Sequence, residues 1–142
     1  QSGHLKAFNE FLIIQKKIKL HFNNDWKQAV EFFANYWNGE GSWDTYTDKQ
    51  KVKFSELLRP NFHEWDAVLD ETISIEKWGN VLPKNTTIIS ALDTIFSIKE
   101  IIKLFRLHCK TWNFKSIKSG GHMAIIRKPD EVLPIIAKIL HS

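Results

Sequence analysis

Two side chains in the second half of the chain could do acid–base chemistry together, Asp93 and His122. Asp93 follows the short β-branched and apolar run Thr86-Thr87-Ile88-Ile89-Ser90-Ala91. His122 follows Phe114-Lys115-Ser116-Ile117 and the pair Gly120-Gly121. Each run reads as a strand. Each polar residue is then expected just past the C-terminal end of a strand, the edge on which open α/β sheets build their sites. A carboxylate beside an imidazole fixes its tautomer and stabilises the imidazolium. An imidazole held in this way is the base that takes a proton from a serine hydroxyl. Two plainer readings stand beside this one. Asp93 is also suited to the turn that leads into a helix, and His122 to a structural role against a backbone carbonyl.

A nucleophile for this pair is missing. A strained strand-to-helix turn of the form Gly-x-Ser-x-Gly would supply one, and no serine here has that setting. Ser42 lies between Glu40 and Asp44, and Ser90 between Ile88 and Leu92. The single Cys109 sits in an apolar helical stretch, which predicts a buried small hydrophobe rather than a reactive thiol. It also excludes an internal disulfide. No His-x-x-x-His or Cys-x-x-Cys occurs, so neither a metal nor another cofactor is expected.

The elements that must position the pair come in two halves. Residues 1–80 read as helical. Leu5 to Phe22 carries apolar residues in a mostly helical rhythm. Asn24 suits the N-cap of a second helix with Trp26, Ala29, Val30, Phe33 and Trp37 on one face, ending at Asn38-Gly39. Thr47-Asp48-Lys49-Gln50 fits a capping box. Arg59-Pro60 predicts a break, because the residue before proline avoids helical dihedrals. A further helix then carries Phe62, Trp65, Val68 and Leu69. The many aromatic residues of this half are expected mainly in its core, with some free to line an apolar pocket. Residues 81–142 change pattern: strand 86–91, helix 98–109, strand 113–117 and helix 131–140. Val132, Ile135, Ile136 and Ile139 are expected to face inward. Strand–helix–strand implies parallel strands.

Composition bounds the partners. The 142 residues carry a net charge of +4, with lysines scattered among acids. Lys16-Lys17-Ile18-Lys19 is the densest basic spot and reads as a solvated helix face. No nucleic-acid partner is expected. The longest apolar run, Phe11 to Ile14, falls far short of the roughly 18 residues that span a bilayer, so no membrane partner is expected either. The N-terminus shows no secretory leader pattern, which points to a cytoplasmic protein. Gln1 in place of Met allows a start further upstream.

The motifs of the second half resemble the C-terminal end of an α/β-hydrolase. The pieces are Pro83, the strand through Ala91, Asp93, the helix through Cys109, Gly120-Gly121-His122-Met123 and Pro129-Asp130-Glu131-Val132. The segment Phe33 to Trp43 is similar to a cap motif of some bacterial members. The resemblance implies an α/β fold: a helical cap region over 1–80, then an incomplete hydrolase core over 81–142. It assigns His122 as the triad base and Asp93 as the triad acid. The glycine expected three residues before the acid is Ser90. A one-residue shift would put Ala91 at that glycine and Thr94 at the acid.

The implied function is a C-terminal fragment of a serine-type, esterase-like hydrolase, inactive by itself. A missing N-terminal segment would bring the nucleophile, and the substrate would be a small molecule with an apolar moiety. The alternative is a non-catalytic interaction module of the same fold that holds a partner or forms a homo-oligomer, because sheet edges left by missing strands need covering.

Overall fold

The computed structural model of the chain describes residues 3–141. The side chains of Asn23, Phe62, His63 and Asp66 lie outside that description, and with them the apolar position assigned to Phe62. The elements run α1 (Gly3–Asn24), α2 (Trp26–Asn38), a 3-10 turn (Ser42–Thr45), α3 (Asp48–Leu69), α4 (Ile75–Val81), β1 (Thr87–Ala91), α5 (Phe96–His108), β2 (Asn113–Ile117), a 3-10 turn (Gly121–Met123), α6 (Ala124–Arg127) and α7 (Pro129–Leu140). The fold is therefore mostly helical, with a two-stranded parallel sheet. The chain divides into two compact units, Phe8–Thr72 and Gln1–Ala7 with Ile73–Ser142.

In the unit Phe8–Thr72, helices meet along aromatic and aliphatic stripes. Ile14, Ile18, Ala29, Val30, Leu58 and Trp65 are its buried centre, with Phe11, Phe33 and Phe54 among the residues packed on them. Phe11 stacks on Trp65 at 5.2 Å, and Phe33 meets Trp65 edge-on at 6.4 Å. Much of the aromatic content of this half is thus spent on core packing. The N-cap of α2 is Asp25, whose carboxylate accepts from the Lys27 and Gln28 amides at 3.0 and 3.3 Å. Asn24 instead closes α1 and donates from its side chain to the Leu20 carbonyl. The Thr47–Gln50 capping box forms, with the Thr47 amide donating to Gln50 Oε1 at 2.8 Å.

The break expected at Arg59-Pro60 does not occur, and α3 runs through Pro60. An interior proline costs about 3 kcal/mol. Leu58 and Trp65, seven residues apart, are both buried in the one core cluster. That spacing keeps them on one helix face, so packing holds the segments on both sides of Pro60 in line.

In the other unit, β1 and β2 pair in parallel with Thr87 opposite Asn113 and Ala91 opposite Ile117. α5 is the crossover. Side chains alternate across a strand, and the two faces have different covers. Ile89, Ala91 and Ile117 pack with Val132, Ile135 and Ile136 of α7. On the opposite face the Arg106 guanidinium of α5 lies 4.4 Å over the Phe114 ring. Ile139, expected inward, is 37% exposed. α4, which the sequence rhythm did not separate, packs on α5 and is tied to it by Glu76 and His108 at 2.9 Å. Cys109 is buried at the end of α5, which pushes its thiol pKa up.

Candidate functional site

The parallel pairing of β1 and β2 brings the loops that follow them side by side. The Leu92 amide donates to the Ile117 carbonyl at 3.0 Å, so pairing continues to the start of both loops. Asp93 begins the turn into α5. The loop after β2 turns at Gly120 and Gly121, with φ of 121° and 61°. Such dihedrals are open to glycine and costly for other residues. At Gly120 a Cβ would also meet the Ala124 Cα at 2.9 Å, whereas at Gly121 it would meet open space. This pair of glycines points two consecutive amides at Asp93. The Gly120 amide donates to Asp93 Oδ2 at 3.1 Å and the Gly121 amide to Oδ1 at 2.9 Å. His122 is the next residue.

These bonds hold the Asp93 carboxyl below its ordinary pKa, with the Gly121 amide the largest cause. Hydrogen bonds to the ionised form favour it. Between Asp93 and Thr94, the two register alternatives for the acid, it is Asp93 whose side chain reaches the histidine loop. Thr94 turns inward. It is 4% exposed, and its hydroxyl has no hydrogen-bond partner among the described residues.

The expectation placed the Asp93 carboxylate on the imidazole itself. Both of its oxygens accept from the backbone just ahead of the ring. His122 has a surface-exposed side, yet enough protein surrounds the ring for desolvation to lower its pKa. A lowered pKa favours the neutral imidazole, the form that can accept a proton. Asp93 thus orders the turn that carries His122, and burial of the ring favours its neutral form.

A cleft of about 380 Å³ opens beside His122. His122, Thr94 and Ser90 lie along it with Ile98, Phe105 and Ile136. Its walls are apolar; of its polar residues, Thr94 and His122 lie just beyond the strands and Ser90 lies in β1. Among the described residues no group of three or more His, Cys, Asp or Glu could hold a metal ion. No helix of the described residues is long and apolar enough to cross a membrane.

Sequence reasoning named Asp93 and His122 but missed two features. One is the use of the Gly120 and Gly121 amides as donors, for which two successive glycines before a polar residue were the available signal. The other is the buried Thr94 hydroxyl, which had no signal beyond its place after Asp93. No family model, curated protein or solved structure matches this chain.

Proposed function

We propose that the chain is the acid- and histidine-bearing part of a serine-type, esterase-like α/β-hydrolase whose nucleophile comes from another segment. The observation that carries this reading is the turn in which Asp93 holds the Gly120 and Gly121 amides and presents a neutral His122 at the C-terminal edge of two parallel strands. A neutral imidazole there is suited to take the proton of a serine hydroxyl as it attacks an acyl carbon, and to return it to the leaving group. The apolar cleft suits the hydrocarbon part of such a substrate. No serine of the chain sits in a Gly-x-Ser-x-Gly turn, so the chain alone should not turn over p-nitrophenyl esters.

The test is to assay the purified chain alone, and together with a Gly-x-Ser-x-Gly polypeptide that co-purifies with it from its source. Ester hydrolysis should appear only in the assembled pair and vanish in His122→Ala. Turnover by the chain alone, or turnover by the pair that survives His122→Ala, overturns the reading. A second reading, a non-catalytic interaction module, is favoured by one observation. The outer edge of β1 has no strand beside it among the described residues.

A further inference from the structure

The cleft beside His122 has a shape that its lining residues define. Ile88, Ile89, Ser90 and Ala91 all line it. Consecutive strand residues face opposite ways, so a cavity on one face of β1 would touch only alternate ones. Contact with all four places the cleft along the strand's outer edge. One wall is α5, through Ile98, Ile101 and Phe105, and the other is α6–α7, through Ile125, Val132 and Ile136. These helices cover opposite faces of the sheet. The cleft is therefore a slot, with a strand edge as its floor and an apolar helix on each side.

The floor carries unused backbone groups. In the ladder to β2, the Asn113 amide donates to the Thr86 carbonyl and the Leu92 amide to the Ile117 carbonyl. A parallel strand aims the groups of alternate residues at one neighbour. Thr86, Ile88, Ser90 and Leu92 therefore face β2, while Thr87, Ile89 and Ala91 direct theirs into the slot. Among the described residues, only the Ala91 carbonyl finds a backbone partner there, the Thr94 amide at 3.2 Å. Ile88 and Ile89 stay half-buried, in a run whose composition suits burial on both faces.

We propose that this slot is a docking site for one extended, apolar segment of another polypeptide, which adds a third strand against β1. The chemistry of the occupant follows from what lines the slot. Backbone donors and acceptors on the floor call for another backbone, and apolar walls on both faces call for apolar side chains on both faces of it. A second copy of the chain does not fit. Two β1 edges paired across a two-fold axis lie about 4.8 Å apart, and the walls of both copies, helices about 10 Å across, would claim the same space. The proposal is independent of whether His122 acts on a substrate.

The probe is a fluorescent peptide of five alternating Val and Ile residues between lysine pairs. It is N-methylated on one alternating set of amides, so that it presents a single hydrogen-bonding edge. Saturable binding by anisotropy is expected, weakened roughly tenfold or more when the second set of amides is also methylated. Ile101→Lys should weaken it similarly. Ile101 is 42% exposed, so the variant should fold, and urea unfolding checks that it does. Absence of binding up to about 1 mM overturns the proposal. So does equal binding of the fully methylated peptide, or binding unchanged by Ile101→Lys. Sedimentation supplies the last arm: a dimer that the peptide dissociates would make a second copy the occupant and would also overturn it.

Discussion

Replacing Asp93 by Asn distinguishes two ways in which an acid can serve a histidine. In the structure its carboxylate accepts the Gly120 and Gly121 amides at 3.1 and 2.9 Å. Hydrogen bonds to a charged group contribute about 1.5–3 kcal/mol each when well shielded. Asp93 is exposed, so water competition brings the pair to about 2 kcal/mol in total. Asn keeps one acceptor oxygen and turns an NH2 group toward the other amide, so the loss should be about 1–2 kcal/mol. Urea unfolding reads that loss, and faster hydrogen exchange at Gly120 and Gly121 locates it.

The imidazole gives the sharper readout. If Asp93 acts only through the turn, loosening the turn exposes the ring to water, and the depressed His122 pKa should rise toward its ordinary value of about 6.5. If the carboxylate acted on the ring directly, its removal would lower the pKa. NMR titration of His122 in the wild type and in Asp93→Asn decides between them. A fall in the variant, or unchanged exchange at both glycines, refutes the reasoning. The pH dependence has a fixed sign. The folded pKa of Asp93 is lowered, so its contribution is full above the unfolded value of about 3.9 and is lost as pH falls through the folded value. The folded pKa of His122 is lowered too. Its contribution is full above about 6.5 and declines as pH falls from there through the folded value. Wild type minus Asp93→Asn should isolate the first window, and wild type minus His122→Ala the second.

The two glycines of the turn should respond unequally. Gly121→Ala meets only the left-handed backbone cost, about 1 kcal/mol, while Gly120→Ala adds a clash with Ala124 and should lose about 2–3 kcal/mol in urea unfolding. Gly79→Ala should destabilise by about 1–2 kcal/mol despite better helix propensity, because its Cβ would stand 2.8 Å from Cys109 Sγ. Cys109→Ala in the same chain should recover most of that loss, and a double-mutant cycle without coupling would refute the contact. Ile18→Ala, at a residue 1% exposed in the helical core, should cost about 3–4 kcal/mol, read as a lower urea midpoint.

The parts of the fold legible in the sequence were those set by local chemistry. The strand over 113–117 was read with the bounds it has, because Asn113 follows a turn and Ile117 precedes the glycines. The strand before Asp93 and its parallel pairing with β2 followed from composition and order. Cys109 as a buried apolar group also needed only its neighbours. Pro60 was misread because its outcome depends on Leu58 and Trp65 meeting one core, which no local rule contains. Asn24 and Asp25 compete for one cap, and only the direction of the α2 amides decides between them. The site divides along the same line. That Asp93 and His122 stand on adjacent loops is topology and could be read from order. How Asp93 spends its two oxygens depends on the dihedrals of Gly120 and Gly121, and hence on where two amides point.

The slot and the turn share one end of the sheet, which constrains how a docked strand could bear on the histidine. An extended segment running parallel to β1 must finish where β1 finishes, beside Leu92, Asp93 and the His122 turn. A segment running the other way would begin there. In both cases its terminal residue comes next to the His122 imidazole, on a turn whose two preceding amides are clamped by Asp93. This arrangement leaves the electrostatics of His122 sensitive to a newcomer. A docked strand that dries the cleft further should lower the ring pKa below its unbound value, since desolvation already sets its direction. A carboxylate or a helix C-terminus brought in with the strand would raise it instead. If a strand docks as proposed, edge pairing and the titration of His122 should be coupled, and the ring's titration with and without the bound peptide measures that coupling directly.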